Sequence, residues 1–182
     1  MNTGTGWPFG GPEVSIEDAA SKAIFQTYDI EGGQEIVQDI NVTDKKQQPY
    51  SVLSRVMAYD ENGRCINLTS HVRKDKLEWK APAGKWKVIA LYNSKTRQKV
   101  KRAAPGGEGY VMNHLSKTAV KNYLSRFDRA FKSSKTSYPH TFFNDSYEVY
   151  QADWTEDFLD QFARRRGYKL EEHFPEFLDE SR

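Results

Sequence analysis

The sequence predicts an α/β protein in which a partial (β/α)8-barrel section is interrupted by an antiparallel β-rich insert. Three observations carry that prediction. Residues 35–102 hold the successive runs QEIVQDINV, SVLSRVMAYD, RCINLTSHV, KLEWKA, KWKVIALYN and RQKVKRA, whose alternation is that of half-buried strands. After PGGEG at 105–109, apolar residues recur every four positions at Leu115, Ala119, Tyr123, Phe127 and Phe131, the spacing of one helix face. From residue 140, apolar HTFFN precedes a second helical stretch, in βα order. An eight-unit barrel needs on the order of 250 residues, so 182 residues correspond to a section. The predicted division is a barrel segment at 1–34, the β-rich insert at 35–104, and a helix-strand-helix barrel segment at 105–182.

Each element has a local reason. GTGWPFGGP at 4–12 carries four glycines and two prolines, which suits a loop whose backbone passes close to something. Ser15 with Asp18 three residues later resembles a capping box, and Ala19, Ala20, Ala23 and Ile24 supply the buried side of a short helix ending near Phe25. DENG at 60–63 and APAG at 81–84 sit between runs as hairpin-type turns. Asn113 is the expected N-cap of the four-residue pattern, and KSSKTSYP at 132–139 ends it before a strand at 140–144. The second helix starts at Asp153, with Glu156 at its third position, and turns Phe158, Leu159 and Phe162 inward. Arg164, Arg165 and Arg166 complement its negative end, and Gly167 closes it.

Composition narrows the partner classes. With 37% hydrophobic and 29% charged residues the chain reads as a globular fold, and a formal charge of +2 argues for neither nucleic acid nor an anionic membrane. Cys65 is a lone cysteine, so no intrachain disulfide or cysteine metal cluster forms. No apolar run approaches the roughly 18 residues of a membrane span, and MNTGTGWPFGG lacks the basic and apolar regions of a signal peptide. His140 and His173 lack HExxH or CxxC company, so no metal site is predicted. Lys95, Arg97, Lys99 and Lys101 fall on one face of an expected strand, either touching a polyanion or guarding a solvated edge.

Chemistry concentrates at FFNDSYE. If 140–144 is a strand, Asp145 to Glu148 emerge at its carboxyl end, where α/β barrels place active sites. Glu148 would then be a general acid, and glycoside cleavage requires a second carboxyl group opposite it. The competing reading is that these acids form a turn or cap a helix. Trp7 and Phe9 are either a sugar platform or a plug under the glycine loop.

Taken in order, GTGWPFGGP, WKAPAGKWKV, RAAPGGEGYVMNHLS, FFNDSYE and DWTEDFLDQFARRRGYKL resemble the bacterial α-L-rhamnosidases of glycoside hydrolase family 106. The resemblance covers most of the chain. It implies a large secreted or periplasmic enzyme, with a catalytic barrel and accessory β domains, that removes terminal L-rhamnose from plant polysaccharides or glycosides by inversion. The family's acid falls on Glu148, with Trp7, Asp145 and Tyr147 shaping the sugar pocket. The partner base would lie beyond Arg182, so this section depends on the remainder of the parent catalytic domain and has little turnover alone. Calcium enters by resemblance only, and no other cofactor is expected. Asn113 stands where the family often has an acid, and Glu13 where it often has an aromatic residue. Two further readings are a noncatalytic carbohydrate-binding or interaction domain, with Trp79 or Trp86 holding the saccharide, and a degenerate product without function.

Overall fold

The computed structural model describes residues 8–141, 147–179 and 181. In chain order its strands are β1 (Gly10–Gly11), β2 (Ser21–Glu31), β3 (Glu35–Asp39), β4 (Val52–Asp60), β5 (Cys65–Asn67), β6 (Val72–Arg73), β7 (Lys76–Lys80), β8 (Lys85–Lys95) and β9 (Tyr110–Val111). The helices are α1 (Lys117–Ser134), α2 (Phe158–Arg166) and α3 (Phe174–Phe177). The chain divides into two compact units, Met1–Lys22 with Lys95–Thr155, and Ala23–Ser94 with Glu156–Arg182.

The second unit is a β-sandwich with a helical cover. One sheet has the order β2-β8-β4-β5 and the other β3-β7-β6. Between them lies a core of Ile30, Val56, Ala58, Leu77, Trp79, Trp86, Val88, Ala90 and Tyr92, with Ile24, Tyr28 and Ile36 packed against it. These positions alternate along β2, β4, β7 and β8, so the period-2 pattern places one face of each strand in the core. The opposite face of the four-stranded sheet is apolar as well. There Phe25 meets Phe174 edge-on at 5.2 Å, and Phe177 at 6.0 Å. Tyr59 donates its hydroxyl proton to the Glu171 carbonyl at 2.5 Å. Burial of Phe174, Leu170 and Leu159 seals this second layer.

The first unit relies on α1 and two short backbone pairings. Strands β1 and β9 pair antiparallel, Gly10 with Val111 and Gly11 with Tyr110. Helix α1 lays Ala119 and Tyr123 against Val14, Ala19 and Met112, with Phe9, Val120, Leu124 and Phe127 around them. Its N-cap is Ser116, whose hydroxyl accepts from the Ala119 amide at 3.3 Å. It ends at Lys135 in the left-handed conformation.

The predicted fold class is overturned. The strand pairings with an assigned register are all antiparallel, and no (β/α)8 section forms among the described residues. The reason lies in specific elements. Asp18 does donate its amide to the Ser15 hydroxyl at 3.3 Å, but a turn follows and then strand β2, not a helix ending near Phe25. Ile24, Phe25, Thr27, Tyr28 and Ile30 are β-branched or aromatic and serve both faces of the strand. Helices α1 and α2 therefore have no parallel strand pair to cross between.

Four smaller expectations also change. Asn113 is not the cap of α1. Helix α2 begins at Phe158 with Asp157 at its N-cap, while Trp154 and Thr155 of the expected cap are buried. RQKVKRA forms isolated bridge positions at Lys99, which pairs with Tyr110, and at Lys101, instead of a strand. APAG is not a hairpin turn, because β7 and β8 belong to different sheets. It is an inter-sheet corner: Gly32 donates to the Gly84 carbonyl at 2.8 Å and Gly33 to that of Ala81 at 2.9 Å. A side chain on Gly32 would collide with the Pro82 carbonyl. Asp60 does form the β4-β5 turn, accepting from the Asn62 and Arg64 amides at 2.9 and 2.8 Å. Gly167 closes α2 at φ 80°, after Arg164, Arg165 and Arg166.

Candidate active-site segment

The glycine-rich segments at 10–11 and 106–109 are each other's neighbours. A Cβ on Gly10 would collide with the Tyr110 carbonyl, and one on Gly109 with the Gly11 carbonyl. Glycine is needed here for backbone contact, which is what GTGWPFGGP left open. Phe9 sits half-buried in the α1 cluster, so it plugs the loop. Trp7 and Asp145 lie outside the described residues, as do residues 142–144 of the expected strand.

Tyr147 and Glu148 follow directly. Their backbone is held by one side chain from fifty residues earlier. Gln98 donates its amide to the Glu148 carbonyl at 3.1 Å and accepts the Tyr150 amide at 2.8 Å. That pair of bonds imitates a strand partner, satisfying both polar groups of the segment without a ladder. Gln98 is itself fixed, because its carbonyl accepts from the Val111 amide at 3.0 Å. Lys99 lies 3.3 Å from the centre of the Tyr110 ring and Lys101 5.7 Å from that of Tyr150. Lys95 donates to the Glu17 and Ala19 carbonyls and the Ser21 hydroxyl. Lys95 is thus spent on internal contacts, while Lys99 and Lys101 stay exposed beside tyrosine rings.

The two described candidate residues border different cavities. Tyr147 and Val149 border a cavity of about 300 Å³ together with Asn113, His114, Leu115 and Ala152. Glu148 borders another, of about 350 Å³, with Val149, Tyr150 and Gln151. The Glu148 carboxylate is exposed and makes no ion pair among the described residues. Tyr147 is 61% exposed. The structure brings the two close in sequence but gives them no shared cavity.

His114 is the residue that sequence reasoning missed. Its ring meets Tyr147 edge-on at 4.8 Å and Phe9 at 6.2 Å, so it touches both the glycine-rich segment and the segment of Glu148. Burial pushes its pKa below the ordinary value of 6.5, while a hydrogen bond to the Met112 carbonyl acts the other way. Its Nε2 is buried without a hydrogen-bond partner among the described residues. Its neighbour in MNHLS is the buried Asn113. That asparagine donates to the Ser21 hydroxyl at 3.3 Å and accepts from the Leu115 amide at 3.0 Å.

The two tryptophans of the sandwich are not exposed sugar platforms, although Phe162, Tyr168 and Phe177 border a hollow of about 530 Å³ on the same unit, with Tyr168 48% and Phe177 51% exposed. Trp79 and Trp86 are 8% and 3% exposed and stack edge-on at 5.2 Å inside the core. Trp86 also donates its indole proton to the Pro82 carbonyl at 2.9 Å. A hollow of about 440 Å³ on this unit is bordered by Asp29, Glu31, Glu61, Lys85 and Lys87, but its aromatic residues, Tyr59 and Trp86, are buried. His173 is stacked on Tyr168 at 5.2 Å. Among the described residues no three His, Cys, Asp or Glu side chains converge as a metal site. Calcium therefore finds no fitting donor set there, and no step is assigned to it. No helix among them is long and apolar enough to cross a membrane.

The antiparallel fold does not by itself name a class of protein, and comparison with known proteins supplies one. The family model for alpha-L-rhamnosidase, glycoside hydrolase family 106, matches residues 41–179, and the chain belongs to that family. It is 27% identical over 212 aligned positions to a provisionally named beta-glucuronidase from Formosa agariphila, covering 93% of this chain and 18% of that protein. Its fold is similar to the structure of a rhamnosidase from Novosphingobium sp. PP1Y, with a TM-score of 0.61 and 15% identity over 94% of this chain and 33% of that one. The chain thus spans a third or less of the length of these relatives.

Proposed function

We propose that the chain is a section of an α-L-rhamnosidase-like glycoside hydrolase, with Glu148 as the general acid that protonates the departing glycosidic oxygen. The observation that carries this reading is an exposed carboxylate on a backbone pinned by Gln98, within the stretch matched by the rhamnosidase family. The anchored backbone fixes where the side chain starts, and its exposure leaves it open to a substrate. By family resemblance, Trp7, Asp145 and Tyr147 are the residues assigned to shaping the sugar pocket. In the inverting mechanism a second carboxylate, supplied by the rest of the parent domain, activates water from about 6.5 to 9.5 Å away. The substrate is a terminal rhamnoside of a plant polysaccharide or glycoside, and the section alone turns it over little or not at all.

The names of the two relatives pull toward different sugars, since a rhamnoside carries a methyl group at C5 and a glucuronide a carboxylate. The rhamnoside reading follows the family. It is tested by assaying this chain, and a longer chain containing it, with an aryl rhamnoside and an aryl glucuronide. Rhamnoside cleavage is expected only in the longer chain, with first product of inverted anomeric configuration by NMR. Replacing Glu148 with Gln is expected to lower kcat by about 10²- to 10⁴-fold, the range of a lost acid. Full activity in that variant would remove Glu148 from the mechanism, and robust turnover by the isolated chain would refute the missing-base account.

A further inference from the structure

We infer that the hollow bordered by Phe162, Tyr168, Leu170, His173, Glu176 and Phe177 is a binding site for a small molecule carrying an alkylated ammonium cation. It belongs to the sandwich unit and stands independently of the glycosidase reading, which gives these residues no task. Gly167 ends α2 in the left-handed conformation, and the turn brings Tyr168 back beside Phe162. Those two rings meet edge-on at 5.2 Å and 87°, and Tyr168 meets His173 at 5.2 Å and 88°. Rings at successive right angles make the corner of a box, whereas a platform for the flat face of a sugar presents them side by side. The buried Leu170 adds an apolar wall. Phe177 is steadied by Phe25 at 6.0 Å, yet it and Tyr168 stay half-exposed, so ring surface is left open to a ligand.

Charge identifies the occupant. Glu176 is exposed and makes no ion pair among the described residues, and neither lysine nor arginine borders the hollow. The surrounding cover is acidic as well: residues 156–179 carry seven Asp and Glu against four Arg and Lys, and one of those four, Lys169, sits 4.0 Å from Glu172. A cation entering the hollow meets the negative faces of aromatic rings and a carboxylate, while an anion meets both with the wrong sign. A bare ammonium group is strongly hydrated and resists losing that water. Alkyl groups on the nitrogen replace the water with apolar surface, so that packing on the rings and attraction to them act together. The volume of about 530 Å³ is that of a small-molecule site, with room for the rest of the molecule beside its head group.

The test is an NMR titration of the full chain with choline and with its uncharged carbon isostere, in which a tert-butyl group replaces the trimethylammonium. Choline is expected to shift the Tyr168 and Phe177 ring resonances, and its own methyl signal to move upfield, as protons held over ring faces do. Its affinity is expected to exceed that of the isostere by about tenfold or more. Glu176→Gln should lower choline affinity by about tenfold and leave the isostere unaffected. Tyr168→Leu keeps an apolar side chain, removes the ring, and should weaken choline by a similar factor. Both positions are exposed, and the amide spectrum checks that each variant folds. An isostere that binds as tightly as choline, or choline binding that Glu176→Gln leaves unchanged, overturns the inference. So does a methyl glycoside that shifts these rings while choline leaves them still, and so does silence toward every ligand.

Discussion

The sandwich unit and the glycine-and-helix unit are stabilised by different means. In the sandwich, alternate residues of long strands enter one continuous core, and β4, β7 and β8 each contribute at least two buried side chains. In the other unit the pairing of β1 with β9 involves two residues on each side, and backbone proximity at Gly10 and Gly109 substitutes for side-chain volume. A large core tolerates local loss by spreading it over many neighbours. A contact made of bare backbone has no such reserve, and that unit carries Glu148.

The sharpest way to break the comparison is Gly109→Ala. Its new methyl group would occupy the space of the Gly11 carbonyl, and a loss above about 4 kcal/mol is expected for that unit, read as loss of amide protection in β1 and β9. Gly63→Ala, at φ 81° in open space, is expected to cost only about 1–2 kcal/mol. Equal effects would show that close approach is not what the glycines provide. Next in size is Leu77→Ala, at a position with no exposed surface. It should cost about 2–5 kcal/mol, measured by urea unfolding, with the exchange of β4, β7 and β8 amides rising together. A loss confined to β7 would mean that the sandwich core is not cooperative.

The smallest effect concerns His114. Burial holds its folded-state pKa below 6.5, so on acidification the unfolded chain binds the proton first. Its stability contribution is therefore intact above pH 6.5 and is lost as pH falls from there through the folded-state value. Urea midpoints at pH 7.5 and 5.0 should differ less in His114→Gln than in the native chain. An unchanged difference would place the pH sensitivity elsewhere.

Much of the sandwich was legible. The alternating runs became β3, β4, β7 and β8, and DENG became a turn, because period-2 burial and turn chemistry are local properties. Sheet membership was not legible. A strand's pattern states that one face is buried but not which sheet it joins, so APAG passed for a hairpin turn. The spacing of Ala19, Ala20, Ala23 and Ile24 imitated a helix, although the β-branched and aromatic residues up to Ile30 belong to a strand whose core face carries Ile24, Tyr28 and Ile30. Of the candidate site, the sequence singled out Tyr147 and Glu148 but did not state that they border different cavities. His114 and Gln98 act through partners 33 to 52 positions away, beyond any local pattern.

The side chain of Gln98 has a consequence for the family's divergence. An anchor that reaches Glu148 across 50 positions and Tyr150 across 52 leaves the length of the intervening chain unconstrained by the anchor itself. Loop-closure entropy rises only logarithmically with length, by about 0.6 kcal/mol per doubling. Insertions and deletions between the two positions are therefore compatible with an unchanged starting point for the Glu148 side chain. What must persist is one carboxamide of the right reach: Gln98→Glu keeps the size but loses the donor, and Gln98→Asn keeps the chemistry but falls a methylene short.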